Sequence, residues 1–198
     1  MSKFPSINLQ LLDKIKAKMI REAFLKKFVM TKERFQIVHK NWLEQEEKRG
    51  HPFQYEKSLM WDRMPTYQNI SFEDAINFLK TYNNDILLMS ENESYPHCER
   101  LLLYNKEYKG FVAKANALEL AELIYFEWYD SWRLISQYMY RDDYILPSDL
   151  YVFDENMQFM IVFTHENDNW EAEIDEPMKA AKARICIAYG VKNAFKKR

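Results

Sequence analysis

Residues 158–164 read Gln-Phe-Met-Ile-Val-Phe-Thr, five large apolar side chains in a row without the polar alternation of a half-exposed strand. Successive side chains on a strand point to opposite faces, so Phe159, Ile161 and Phe163 go one way and Met160 and Val162 the other. A strand apolar on both faces belongs inside a sheet that is covered on both sides. Just upstream, Leu150–Phe153 is a second apolar run. The intervening Asp154-Glu155-Asn156 is turn chemistry, so the two runs are expected to form a hairpin.

The rest of the chain supplies helices to cover such a sheet. Over residues 7–29, Leu11, Leu12, Ile15, Met19, Phe24 and Phe28 recur near the helical period with lysines between them, which predicts an amphipathic helix. Thr31 is placed to cap a second helix carrying Phe35, Val38 and Trp42, which runs out near Gly50, and His51-Pro52 marks a loop. Ser71-Phe-Glu-Asp74 resembles a capping box and opens a third helix through Phe72, Ala75, Ile76 and Leu79.

Asp85–Ser90 is a short apolar run bounded by polar residues, hence a strand. Residues 98–104 fit strand or helix equally, and 108–113 fit a strand better. Asn116-Ala-Leu-Glu119 caps a long helix through about Gln137, rich in Trp and Tyr. Pro177 and Gly190 bracket a stretch that reads as a final helix, with Pro at its first position and Gly beyond its end. The expected fold class is α+β: one domain over 1–198, with a mostly helical part (1–82) followed by a mainly antiparallel sheet packed against helices (83–198).

Several function classes fall away. The three glycines, Gly50, Gly110 and Gly190, are too dispersed to form a phosphate-cradling loop, which argues against a P-loop or a dinucleotide fingerprint. Cys98 and Cys186 make no C-x-x-C motif, and no signal peptide is apparent, so reduced thiols and a cytoplasmic location are expected. No apolar run nears the roughly 20 residues that cross a bilayer, and no membrane partner is expected. With hydrophobic residues at 47%, a sizeable core is available.

Charge is unevenly placed. Residues 1–40 hold ten Lys or Arg against three Asp or Glu, residues 142–176 hold eleven acids and no Lys or Arg, and residues 177–198 hold seven Lys or Arg and no acid. Such blocks pair within the fold or present opposite fields to different partners.

Chemistry has a few candidate seats. His165-Glu166 places a potential base beside a carboxylate, but adjacent strand residues face apart, and a zinc protease needs H-E-x-x-H on a helix where this chain has His165-Glu-Asn-Asp-Asn169. His97-Cys98 pairs a thiol with an imidazole, but the partners of a thiol dyad usually meet through the fold and not as sequence neighbours, which leaves Cys98 with the distant His165 as the geometric alternative. Asp142, Asp143, Asp154 and Glu155 are acids of the kind that hold divalent cations, without the ligand alternation of an EF-hand loop. No catalytic residue, metal or cofactor is therefore expected, and the chain is expected not to be an enzyme. The alternative is a hydrolase or nuclease using His165 with Glu166, Asp154 or Asp143. A further alternative is a nucleic-acid-associated module acting through the basic N-terminal helix, although a sequence pI of about 6.1 argues against nucleic acid as the partner.

The stretch "LYVFDENMQFMIVFTHE", within a region from about Asp85 to Trp170, resembles small bacterial proteins in which a strand like "DLYVFD" is followed by one ending in "THE". Some of these look like immunity partners of polymorphic or contact-dependent toxins. The resemblance implies a binding role: a protein that neutralises a bacterial toxin by covering its active site or blocking its movement, with charge speeding the encounter. It carries over no catalytic residue. The partner-binding candidates are Asp154, Glu155, Glu166, Asp168, Trp170, Glu171 and Glu173, which belong to or adjoin the acid-only run.

Overall fold

A computed structural model describes residues 7–90, 111–126, 146, 149–167 and 184–191. Seven strands form one antiparallel sheet: β1 (Gln10–Leu11), β2 (Gln68–Ile70), β3 (Asp85–Ser90), β4 (Phe111–Asn116), β5 (Leu150–Phe153), β6 (Met160–Asn167) and β7 (Arg184–Tyr189). Their order across the sheet is β1-β4-β3-β5-β6-β7-β2. The described helices are α1 (Lys14–Phe28), α2 (Lys32–Val38), α3 (Lys40–Lys48), α4 (Phe72–Thr81) and α5 (Ala117–Tyr125). This is the expected α+β class. The chain divides into two compact units, Met1–Ala17 with Gln68–Arg198, and Lys18–Tyr67.

In the first unit, β6 lies between β5 and β7 and answers the double-faced pattern directly. Ile161 and Phe163 join one core with Ile86, Leu88, Val152, Cys186 and Ala188, against α4 and α5. On the opposite face Met160 and Val162 are also buried, as are Leu87, Met89, Tyr151 and Phe153 of the neighbouring strands. The α4 and α5 helices pack on each other, α4 reaching β7 and α5 reaching β4. Phe72 meets Phe163 edge on, with ring centroids 6.2 Å apart.

Local capping chemistry sets three helix starts. Thr31 Oγ1 accepts from Arg34 N at 3.3 Å, Ser71 Oγ accepts from Asp74 N at 3.0 Å, and Asn116 Oδ1 accepts from Leu118 N and Glu119 N at 3.0 and 3.3 Å. Each satisfies amide donors that the first turn leaves unpaired. Residues 127–137 of the expected long helix, and residues 98–104, lie outside the described residues.

Two expectations are corrected. Residues 184–189 form the strand β7 and not the end of a helix: Cys186 and Ala188 turn into the core while Ile185 and Ile187 are half-buried, the alternation of a strand. Gly190, with φ +75°, closes this strand instead of a helix. The N-terminal helix also starts later than expected. Gln10 and Leu11 pair with Lys114 and Ala113 of β4, and Asp13 Oδ1 then accepts from Ile15 N and Lys16 N at 3.0 and 2.9 Å to begin α1.

The second unit is organised by aromatic rings. Phe24 and Phe28 pack at 4.9 Å, Tyr67 meets Phe28 edge on at 6.5 Å, and the Tyr55 hydroxyl donates to the Met30 carbonyl. Its second expected helix is two, α2 and α3, joined at His39, whose φ of −104° and ψ of 19° depart from the helix.

Candidate protein-binding surfaces

The β5–β6 turn holds two of the sequence-predicted contact residues, and they do different things. Asp154 is 5% exposed, and its Oδ1 accepts from Phe159 N at 3.0 Å. Its carbonyl accepts from Met157 N at 2.8 Å, and Met157 sits at φ 53°. The carboxylate is thus spent inside the hairpin, holding a strained turn closed. Asp154→Ala is expected to cost about 1–3 kcal/mol, because it leaves the buried Phe159 amide unmet. Asp154→Asn, which keeps an acceptor in place, is expected to recover most of this in chemical denaturation. Equal losses in the two variants would contradict the hydrogen-bond role.

Glu155 is exposed and reaches back to the sheet, 3.2 Å from Lys114 Nζ, which also lies 3.3 Å from Asp85. Hydrogen bonds that Lys114 donates to Glu155 and then to Asp85 raise its pKa above the usual range. Lys114 borders a cleft of about 110 Å³ with Asn8, Gln10, Asn116 and Glu119. This group was not legible in the sequence, since β4 and β1 meet only through the sheet.

Thr164, His165 and Glu166 stand where β6 bulges. Phe163 is opposite Cys186 and Asn167 is opposite Arg184, so three residues of β6 face the single residue Ile185. The Thr164 hydroxyl is buried and donates to the Ile185 carbonyl at 2.8 Å, while Glu166 is exposed. The side chain of His165 lies outside what the structure describes, as do Asp142, Asp143, His97, Cys98, Asp168, Trp170, Glu171 and Glu173. Among the described residues, no group of three or more His, Cys, Asp or Glu side chains converges as a metal site would, and no helix is long and apolar enough to cross a membrane.

A surface absent from the sequence-based candidates stands on α2 and α3. Ile37 is 77% exposed, Val38 58% and Trp42 41%. Phe35 is buried in a ring cluster, stacked on Phe53 at 5.0 Å and flanked by Tyr55 at 5.7 Å, with Trp42 edge on to Phe53 at 5.3 Å. His39 packs on Phe35 at 4.5 Å with its Nε2 buried and without a hydrogen-bond partner. Arg63 lies over Tyr55 at 5.0 Å, and Lys32 pairs with Glu56. Ile37 and Val38 on α2 and Trp42 on α3 are thus exposed apolar side chains near a packed aromatic cluster, and Glu33, Arg34 and Lys40 are exposed as well.

The chain matches no known family, no curated protein and no solved structure.

The signal for the α2–α3 face was present in the adjacent pair Ile37-Val38. One turn of a helix needs a single side chain over its core, and Phe35 fills that place. Ile37 is two residues on, about 200° around the helix, so it points away.

Proposed function

We propose that this chain is a non-catalytic protein-binding protein, and that it serves as an immunity or antitoxin factor by covering a toxin directly. The observation that carries the binding reading is the exposed Ile37–Val38–Trp42 face. Large apolar side chains left exposed within six residues of one another, among charged neighbours, are candidates for burial against a partner. The ring cluster holds Trp42 in place before any partner arrives, which lowers the ordering cost of binding.

The immunity reading draws support from two further features. The acid-only run 142–176 suits a basic partner such as a nuclease toxin, whose approach it would speed. The immunity reading also rests on the resemblance read from "LYVFDENMQFMIVFTHE" in the sequence.

The test is affinity capture from the source cell with wild type, Trp42→Ala, and the triple variant Asp168→Lys/Glu171→Lys/Glu173→Lys. A single stoichiometric partner is expected, bound about tenfold or more weakly by Trp42→Ala, since aromatic anchors at interface centres carry a large share of affinity. Charge reversal is expected to slow association. No partner at low salt, or a partner indifferent to Trp42, would overturn the reading.

A further inference from the structure

The most one-sided charge among the described helices lies on α1. Its fifteen residues carry six Lys or Arg and one Glu. Ala17, Phe24 and Phe28 are buried along one side. At about 100° per residue, Ile15, Met19 and Lys26 fall on the opposite side, Lys16 and Lys18 flank them on either side, and Lys14 lies nearer the buried side in the exposed first turn. Ile15 is 75% exposed and Met19 65%. Among the described residues Lys14, Lys16, Lys18 and Lys26 take part in no ion pair, and Glu22 is the one acid on this side.

We infer that the outer face of α1 docks on an anionic lipid surface, with Ile15 and Met19 entering the headgroup boundary and the lysines contacting lipid phosphates and carboxylates. The helix would lie in the interface plane without crossing the bilayer, a departure from the expectation of no membrane partner, which rested on the lack of a spanning apolar run. Four or more basic side chains on one helix match the charge of an anionic leaflet, and long lysine stems let the ammonium groups stay in water above buried apolar neighbours. Nucleic acid satisfies the lysines equally well but has no use for exposed Ile and Met at their centre. This function is separate from the protein-binding face on α2 and α3.

The experiment is co-sedimentation of the full chain with vesicles of phosphatidylcholine mixed with phosphatidylserine, with pure phosphatidylcholine vesicles in parallel. Wild type is expected to sediment with the mixed vesicles at low salt, less so as ionic strength passes about 0.1 M, where the Debye length is near 10 Å. It is expected to leave pure phosphatidylcholine alone. Lys16→Glu/Lys18→Glu is expected to lose affinity by on the order of tenfold or more. Ile15→Ser/Met19→Ser, which keeps the charge, is expected to lose it as well. All four side chains are exposed, so both variants should unfold at the wild-type temperature. Absence of sedimentation with mixed vesicles at low salt would overturn the inference, as would unchanged binding by Ile15→Ser/Met19→Ser. Retention on duplex DNA without vesicle binding would also overturn it and assign the lysines to nucleic-acid phosphates.

Discussion

Gly190→Ala is expected to destabilise the sheet-containing unit by about 3–5 kcal/mol, a size reserved for substitutions with a specific structural cause. Two causes act together here. The residue holds φ +75°, where an L side chain costs about 1–2 kcal/mol. A Cβ at this position would also stand 2.0 Å from the carbonyl oxygen of Gln158 and 3.0 Å from the Cα of Phe159. These are backbone atoms, so relief requires moving the end of β7 or the entry to β6, where Tyr189 and Met160 pair.

Gly50 separates the two causes. Its φ is +80°, yet a Cβ there would meet nothing within 4 Å. Gly50→Ala is therefore expected to cost only about 1–2 kcal/mol. Denaturant unfolding followed for each variant by a signal from its own unit checks the difference. Equal losses at the two glycines would mean that β7 does not end against Gln158.

Phe163→Ala is expected to cost about 3–5 kcal/mol, the range for removing a fully buried aromatic side chain. The ring is sealed from solvent, meets Phe72 edge on, and lies between Leu150 and Cys186 in the sheet register. Its neighbour Val162 faces the other way and is equally buried. Val162→Thr keeps the shape and adds a hydroxyl, which is expected to cost about 1–3 kcal/mol on a dry face. Thermal unfolding measures both. A neutral Val162→Thr would show that one face of β6 meets water, and the reading of this strand as doubly covered would fail.

What the sequence disclosed about the fold follows from how local each signal is. The β6 strand announced itself because five apolar residues in a row need no partner to be recognised as doubly buried. Thr31, Ser71 and Asn116 announced helix starts because each cap bonds within three residues of itself. The β3 strand was marked by polar residues on both sides.

The β7 strand was hidden for the opposite reason. "ARICIAY" is short, and Pro177 and Gly190 sit where a helix would want them, while the pairing that makes it a strand is with β6 and β2, both distant in sequence. The two residues of β1 are too few to show a period, and only β4 makes them a strand. The functional surface divided in the same way. Asp154 looked like an exposed turn acid, and only the folded hairpin shows its carboxylate turned onto the Phe159 amide. The α2–α3 face was written in Ile37-Val38, but its exposure depends on Phe35 taking the inward place among Phe53, Tyr55 and Trp42.

Protein binding through Ile37, Val38 and Trp42 is testable by amide hydrogen exchange on the chain with and without its captured partner. Slowed exchange is expected across Lys32–Lys48 in the complex, with loss of that protection when Trp42→Ala is used at the same partner concentration. Protection confined to other segments, with Lys32–Lys48 exchanging as in the free chain, would contradict it.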